Sequence, residues 1–285
     1  MAIKRLLISF AHPDDESFGL GAAIPKWIDD GVDVYLICAT NGDVGNVPEA
    51  LQGRFATVAE LRLSELACAR QYLKFADVFM LDYRDSGMPD SQTSRHEKSL
   101  AYQWAHHPQR VTDSVLAVMR EVQPQVVVTF NRYGGYGHPD HIAIQRATTD
   151  AFHQLRQQEI DPRPQKLYYA AFPKFALWQR IIKARLNGQD PRRMGVNGDV
   201  DTLKTLENME PVHARIRIAD YLDIWERASR CHASQGGGRI SRTSRWLRRI
   251  IYRRQGFTRA FPPPNQDRVD EDDLFANVKV GAAES

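Results

Sequence analysis

Leu6-Leu7-Ile8-Ser9-Phe10 runs directly into Ala11-His12-Pro13-Asp14-Asp15-Glu16. The apolar run reads as a buried strand. It delivers an imidazole and adjacent carboxylates to the strand's C-terminal end, where ligands bind in open α/β sheets. A second apolar run, Val126-Val127-Val128-Thr129-Phe130, precedes His138-Pro139-Asp140-His141. Two such strand ends can close around one metal ion.

Working outward, residues 3–10 predict a strand, 21–30 a helix stopped near Gly31, and 32–40 a second strand. Val58, Leu61, Leu66, Ala69 and Leu73 recur at helical spacing within 57–73. Residues 78–81, 125–130 and 167–172 predict strands, and 111–121 and 141–157 helices. This βαβα order predicts an α/β fold, a mostly parallel sheet with helices on both faces. Residues 1–172 form the expected catalytic core. Residues 173–285 form a less regular C-terminal portion of the same domain. It holds a helix over 174–186, a polar loop over 188–201, an edge strand over 215–218 and a helix over 219–232. A flexible hinge at Gly236-Gly237-Gly238 follows, then a basic helical segment over 239–259 and a polar tail.

Composition bounds the rest. The chain has 285 residues, 42% apolar and 26% charged, with a formal net charge of +3. That charge is too small to predict nucleic-acid binding. The apolar runs fall short of the ~20 residues of a membrane helix, and no signal peptide is visible. Cys38, Cys68 and Cys231 are odd in number and widely spaced, which predicts neither a disulfide framework nor a metal knuckle. They read as ordinary buried residues in a reducing cytoplasm.

A catalytic zinc site takes three N or O ligands and keeps one position for water. His12, Asp15 and His141 supply such a set. Zn2+ lowers the pKa of bound water, and Asp14, beside a ligand, is placed to accept its proton. His138, as imidazolium, would stabilise an oxyanion or protonate an amine, with Asp140 holding it charged. The same ligand types also serve Fe2+. A turn with a helix N-cap is the structural alternative for either motif alone.

Ala-His-Pro-Asp-Asp-Glu near the N-terminus and Gly-Tyr-Gly-His-Pro-Asp-His in the middle resemble the LmbE-like, or PIG-L, deacetylase superfamily. The resemblance covers residues 3–150 and reaches more loosely to His232-Ala233-Ser234-Gln235. It implies a Rossmann-like fold and a zinc-dependent hydrolase that removes the N-acetyl group from an N-acetylglucosamine-type conjugate. It also implies zinc ligation by His12, Asp15 and His141, a general base at Asp14, and an acid or electrostatic role for His138 supported by Asp140. Tyr136 matches a tyrosine thought to bond the oxyanion. Arg62 matches an arginine facing the substrate. Asp85 and Ser86 lie in the stretch near the sugar hydroxyls. A homo-oligomer is the implied assembly. Asp43 departs from the usual glutamate by one methylene, and Pro25 stands where a helix former is common.

The basic segment has three readings: a surface helix packed on its own protein, a wall for an anionic substrate, or a peripheral membrane contact. A non-catalytic sugar- or nucleotide-binding protein of this fold is the rival function, and a non-haem iron oxygenase a third. The intact histidine and aspartate sets argue against the rival, and the βα order against the oxygenase.

Overall fold

The computed structural model describes residues 3–89, 91–158, 163–195, 198–238 and 244–280. Its strands are β1 (Lys4–Phe10), β2 (Val32–Thr40), β3 (Asp77–Tyr83), β4 (Val126–Thr129), β5 (Lys166–Ala171), β6 (Ala214–Arg217) and β7 (Arg254–Phe261). They form one sheet in the order β3-β2-β1-β4-β5-β7-β6. The first five are parallel, and β7 runs antiparallel between β5 and β6. Helices surround the sheet: α1 (Asp15–Leu20), α2 (Ala23–Asp29), α3 (Val58–Leu73), α4 (Leu100–His106), α5 (Pro108–Val122), α6 (Gly134–Gly137), α7 (Pro139–Gln157), α8 (Lys174–Leu186), α9 (Thr202–Glu207), α10 (Leu222–Cys231) and α11 (Arg245–Ile251). This is the α/β architecture the sequence predicts.

β1 pairs with β2 on one side and β4 on the other, so the strand order reverses there. A crevice opens at such a switch point, outside the C-terminal strand ends. The chain places His12 just after β1 and His138 and His141 just after β4. Continuous Leu, Ile and Val runs fill β1 and β4 because helices cover both faces. Leu6, Leu7, Ile8, Val126, Val127 and Val128 are fully buried. Trp27, Phe152 and Phe257 are buried with them, each contributing roughly 1.5–3 kcal/mol.

The predicted first helix begins earlier, at Asp15, and breaks at Gly21. A Cβ at Gly21 would stand 2.5 Å from the Trp225 ring, so glycine lets α10 approach. α2 then restarts with Pro25 in its first turn, where a missing N–H costs least. Helices α4 and α9 were not expected.

Three expectations are corrected. The basic segment is not one helix: α11 ends at Ile251, and Arg254–Phe261 is an inner strand. Its arginines suggest a surface helix, yet Phe257 is buried while Arg254 is exposed. Residues 239–243 lie outside the described residues. Gly236–Gly238 is a packed turn, since a Cβ at Gly237 would overlap the Ser229 carbonyl. Cys68 and Cys231 are not separate thiols. They form a disulfide across 163 residues of sequence, because α3 and α10 pack with Cα atoms 5.7 Å apart. Only Cys38 remains a free thiol, and it is buried.

The polar tail is also structural. Glu271 accepts hydrogen bonds from Lys166 at 2.7 Å and the Tyr168 hydroxyl at 2.5 Å, and pairs with Arg259 at 2.9 Å. Among the described residues, no helix is long and apolar enough to cross a membrane.

Candidate metal centre and active site

His12 Nδ1 lies 3.1 Å from His141 Nε2. Asp15 approaches both, with Oδ2 3.4 Å from His12 Nδ1 and Oδ1 3.4 Å from His141 Nε2. Their hydrogen-bond partners define what these atoms offer. His141 Nδ1 faces the Gly134 carbonyl at 3.2 Å. A carbonyl only accepts, so Nδ1 carries the proton and Nε2 presents a lone pair. His12 Nε2 faces Asp140 Oδ2 at 3.2 Å and Asp85 Oδ1 at 3.4 Å. Carboxylates likewise only accept, so the remaining His12 nitrogen points its lone pair at His141.

Two lone pairs and a carboxylate therefore converge on one point. Burial alone would lower the His12 pKa, but the Asp85 charge and bonds to Asp140 and Asp15 raise it well above 6.5. The carboxylates of Asp85, Asp140 and Asp15 around one imidazole make the site one of strongly negative potential. It suits a divalent cation for the same reason. A tetrahedral ion about 2.1 Å from each ligand sets ligand atoms about 3.4 Å apart; the two imidazole nitrogens stand 3.1 Å apart, and Asp15 reaches each of them through a different oxygen. His138 is close by, grouped with His12 and His141 and also with Asp85 and Asp140.

Asp14 sits in an unusual backbone conformation, φ 144° and ψ −25°. For a residue with a Cβ this costs roughly 1–3 kcal/mol. Two side chains hold it. Glu16 Oε2 accepts the Asp14 backbone N–H at 3.0 Å. Arg62 Nη2 donates to Asp14 Oδ2 at 3.0 Å and to the Pro13 carbonyl at 2.8 Å. Gly42 allows this, since a Cβ there would stand 2.5 Å from the guanidinium. Burial raises the Asp14 pKa to about 7, against the pull of Arg62. Asp15 resists the same burial: His141 and His12 hold it ionised, well below the carboxylate range.

Glu16 is itself fully buried and 2.7 Å from His232 Nε2, also fully buried. Burial would raise Glu16, yet the His232 charge lowers it; burial would lower His232, yet Glu16 raises it. Two residues on, Ser234 donates its N–H and hydroxyl to Glu65 of α3 at 2.7 and 2.6 Å. The sequence shows Glu16 and His232 inside motifs but assigns them no role. Nothing local links positions 216 residues apart.

Several assigned contacts are corrected. Arg62 is buried against Asp14. Ser86 is fully buried and donates its backbone N–H to Asp140 at 2.8 Å and its hydroxyl to the same carboxylate. Asp85 is buried beside His12 and Arg62. Asp140 supports His12, not the His138 charge. Its backbone N–H donates to His138 Nδ1 at 3.2 Å, which caps α7. An accepting Nδ1 cannot carry a proton, so His138 is a neutral imidazole with an Nε2–H. Burial, then the charges of His12 and His141, push its pKa well below 6.5. The Tyr136 ring stands edge-on to His141 at 5.1 Å, and burial keeps its hydroxyl protonated. Asp43, short by a methylene, still reaches Arg84 at 2.7 Å and the Asp85 N–H at 3.0 Å.

Fold and cluster together define a Rossmann-like α/β protein with a buried histidine–aspartate cation site at the sheet's switch point. Residues 7–152 match the model of the PIG-L family, described as GlcNAc-PI de-N-acetylase. A 1D-myo-inositol 2-acetamido-2-deoxy-alpha-D-glucopyranoside deacetylase from Acidothermus cellulolyticus is 35% identical, over 82% of this chain and 80% of its own length. One of the same name from Thermobifida fusca is 32% identical, over 96% and 99%. The N,N'-diacetylchitobiose deacetylase from Pyrococcus horikoshii superposes with a TM-score of 0.59 at 19% identity, covering 93% of this chain and 88% of that one. That last likeness carries the fold alone. The chain belongs to the PIG-L family.

Proposed function

We propose that this chain is a metal-dependent N-deacetylase that hydrolyses the acetamide of an N-acetylglucosamine-type conjugate to acetate and a free amine. The observation that carries the reading is the convergence of two imidazole lone pairs and the Asp15 carboxylate, with the Asp14 carboxylate alongside. The curated relatives are named for this reaction on an inositol glycoside.

His12 Nδ1, Asp15 and His141 Nε2 would hold the ion, and their N, N, O set suits Zn2+, with Fe2+ the alternative. When bound, it supplies a water of lowered pKa and polarises the acetamide carbonyl. Asp14 takes a proton from the attacking water as the new C–O bond forms. The His138 Nε2–H and the Tyr136 hydroxyl donate to the carbonyl oxygen as it gains charge. Asp14 returns its proton to the nitrogen as the C–N bond breaks. Asp140, Ser86 and Asp85 fix the His12 tautomer. Arg62 and Glu16 fix Asp14.

Metal analysis with amine release from N-acetylglucosaminyl inositol tests the reading. Chelation should abolish release, and one equivalent of Zn2+ should restore it. Release that survives chelation would remove the metal-dependent account. A non-catalytic binding role needs neither the base nor the donor pair.

A further inference from the structure

α8 wears its apolar side outward. Phe175, Trp178, Ile182 and Leu186 recur at helical spacing, and they are 66%, 46%, 53% and 82% exposed. Only Ile181 and Ala184 of that helix are buried. α11 repeats the inversion. Trp246 and Ile250 are 67% and 64% exposed, whereas Arg248 is buried against Glu226. Cations bracket the α8 stripe: Lys174, Arg180, Lys183 and Arg185, with no acidic residue anywhere in the helix. None of the four forms an ion pair among the described residues.

A groove of about 850 Å³ opens between the start of α8 and the end of α11. Lys174, Arg215, Arg253, Arg254 and Arg268 line it. Its acids are Glu210 and Asp267, and each already faces a basic residue, Arg132 at 3.4 Å and His213 at 3.6 Å. Phe172 forms part of its wall. The Phe172 ring packs over Gly135, where a Cβ would stand 3.1 Å away, beside His141. The groove thus adjoins the rim of the metal centre.

The geometry points to a docking face for an anionic phospholipid bilayer, with the apolar stripe entering the interface and the groove receiving a phosphate-bearing headgroup. Charge selects this occupant. A two-fold contact with a second copy would set the same unpaired cations against themselves. An anionic surface neutralises all of them, and long basic side chains let the apolar stripe sink while their heads stay wet. The inference concerns where the protein works and stands independently of the reaction proposed above.

Sedimentation of the full chain with vesicles tests it. Vesicles of phosphatidylcholine alone are compared with vesicles one-third phosphatidylglycerol. Binding should favour the anionic vesicles at least roughly tenfold and fade at about 0.5 M salt. Trp178→Ser with Ile182→Ser, and separately Lys183→Glu with Arg185→Glu, should each weaken it about tenfold. Both double variants should still release amine from a soluble conjugate at the unaltered rate, which also reports that they fold. Equal binding to the two vesicle types, or none, overturns the inference. So does equal suppression by millimolar inorganic phosphate at constant ionic strength, which would make the groove a site for a free anion. So does a dimer in ultracentrifugation that the serine variant abolishes, which would assign the face to a second copy.

Discussion

The crevice between β1 and β4 and the face formed by α8 and α11 obey opposite rules. In the crevice, charged and polar side chains are buried and each has a partner: Arg62 on Asp14, Ser86 on Asp140, His232 on Glu16. On the α8–α11 face, large apolar side chains are exposed and the α8 cations form no ion pair among the described residues. The first pattern stabilises one geometry. The second leaves attraction unspent, so a partner outside the chain can use it. Burial against a charged or polar partner therefore marks where this protein fixes atoms, and exposure without one marks where it meets something else.

The sharpest way to break that comparison is to remove the converging donors. His12→Ala or His141→Ala should lose the bound metal and all measurable amine release, read by elemental analysis and by turnover. Asp14→Asn should keep the metal and lower kcat about a thousandfold. Wild-type turnover in that variant would remove the base assignment.

The clamp behind Asp14 comes next. Glu16→Gln leaves a buried imidazole without its counter-charge, which costs roughly 3–5 kcal/mol. Melting temperature should fall, and kcat should fall with KM unchanged, since Glu16 reaches Asp14 but lies behind the crevice. A fall in KM-dependent binding alone would place Glu16 among substrate contacts instead.

Cys68→Ser should destabilise by roughly 2–5 kcal/mol, seen as a lower denaturation midpoint, with kcat altered less than in Glu16→Gln. Phe175→Ser sharpens the contrast from the other region: an exposed site should shift stability by no more than about 0.5 kcal/mol.

The smallest effect is one of pH. His232 is raised from 6.5, so its stabilisation is complete below 6.5 and lost as pH climbs through the higher folded value. Glu16 is lowered from 4.5, so its stabilisation is complete above 4.5 and lost as pH falls through the lower folded value. The melting-temperature gap between the native chain and His232→Gln should therefore be widest between 4.5 and 6.5 and narrow on either side. A gap that widens steadily into alkali would contradict the charged pair.

The parts legible in sequence are those whose information is local. Unbroken valine and leucine runs announce β1 and β4, and the histidines follow within a few residues. Hence His12, Asp14, Asp15, His138 and His141 are found without coordinates. Partnerships across the chain are not legible. The recipient of the Arg62 guanidinium and the Cys68–Cys231 link depend on how α3 packs, and the Asp140–His12 bond on how the start of α7 meets the end of β1. β7 was hidden because its arginines imitate a surface helix, and its strand partners lie in distant sequence. The α8 helix is readable, but periodicity gives a stripe and not the side that faces inward.

The backbone at Asp14 has a consequence for heat resistance. Its positive φ is one that glycine tolerates without strain. Asp14→Gly would relieve that strain but leave the buried Arg62 guanidinium without its carboxylate, so it should melt lower than the native chain as well as lose turnover. The strained backbone is thus held in place by the charge it presents, and one residue serves the fold and the chemistry together.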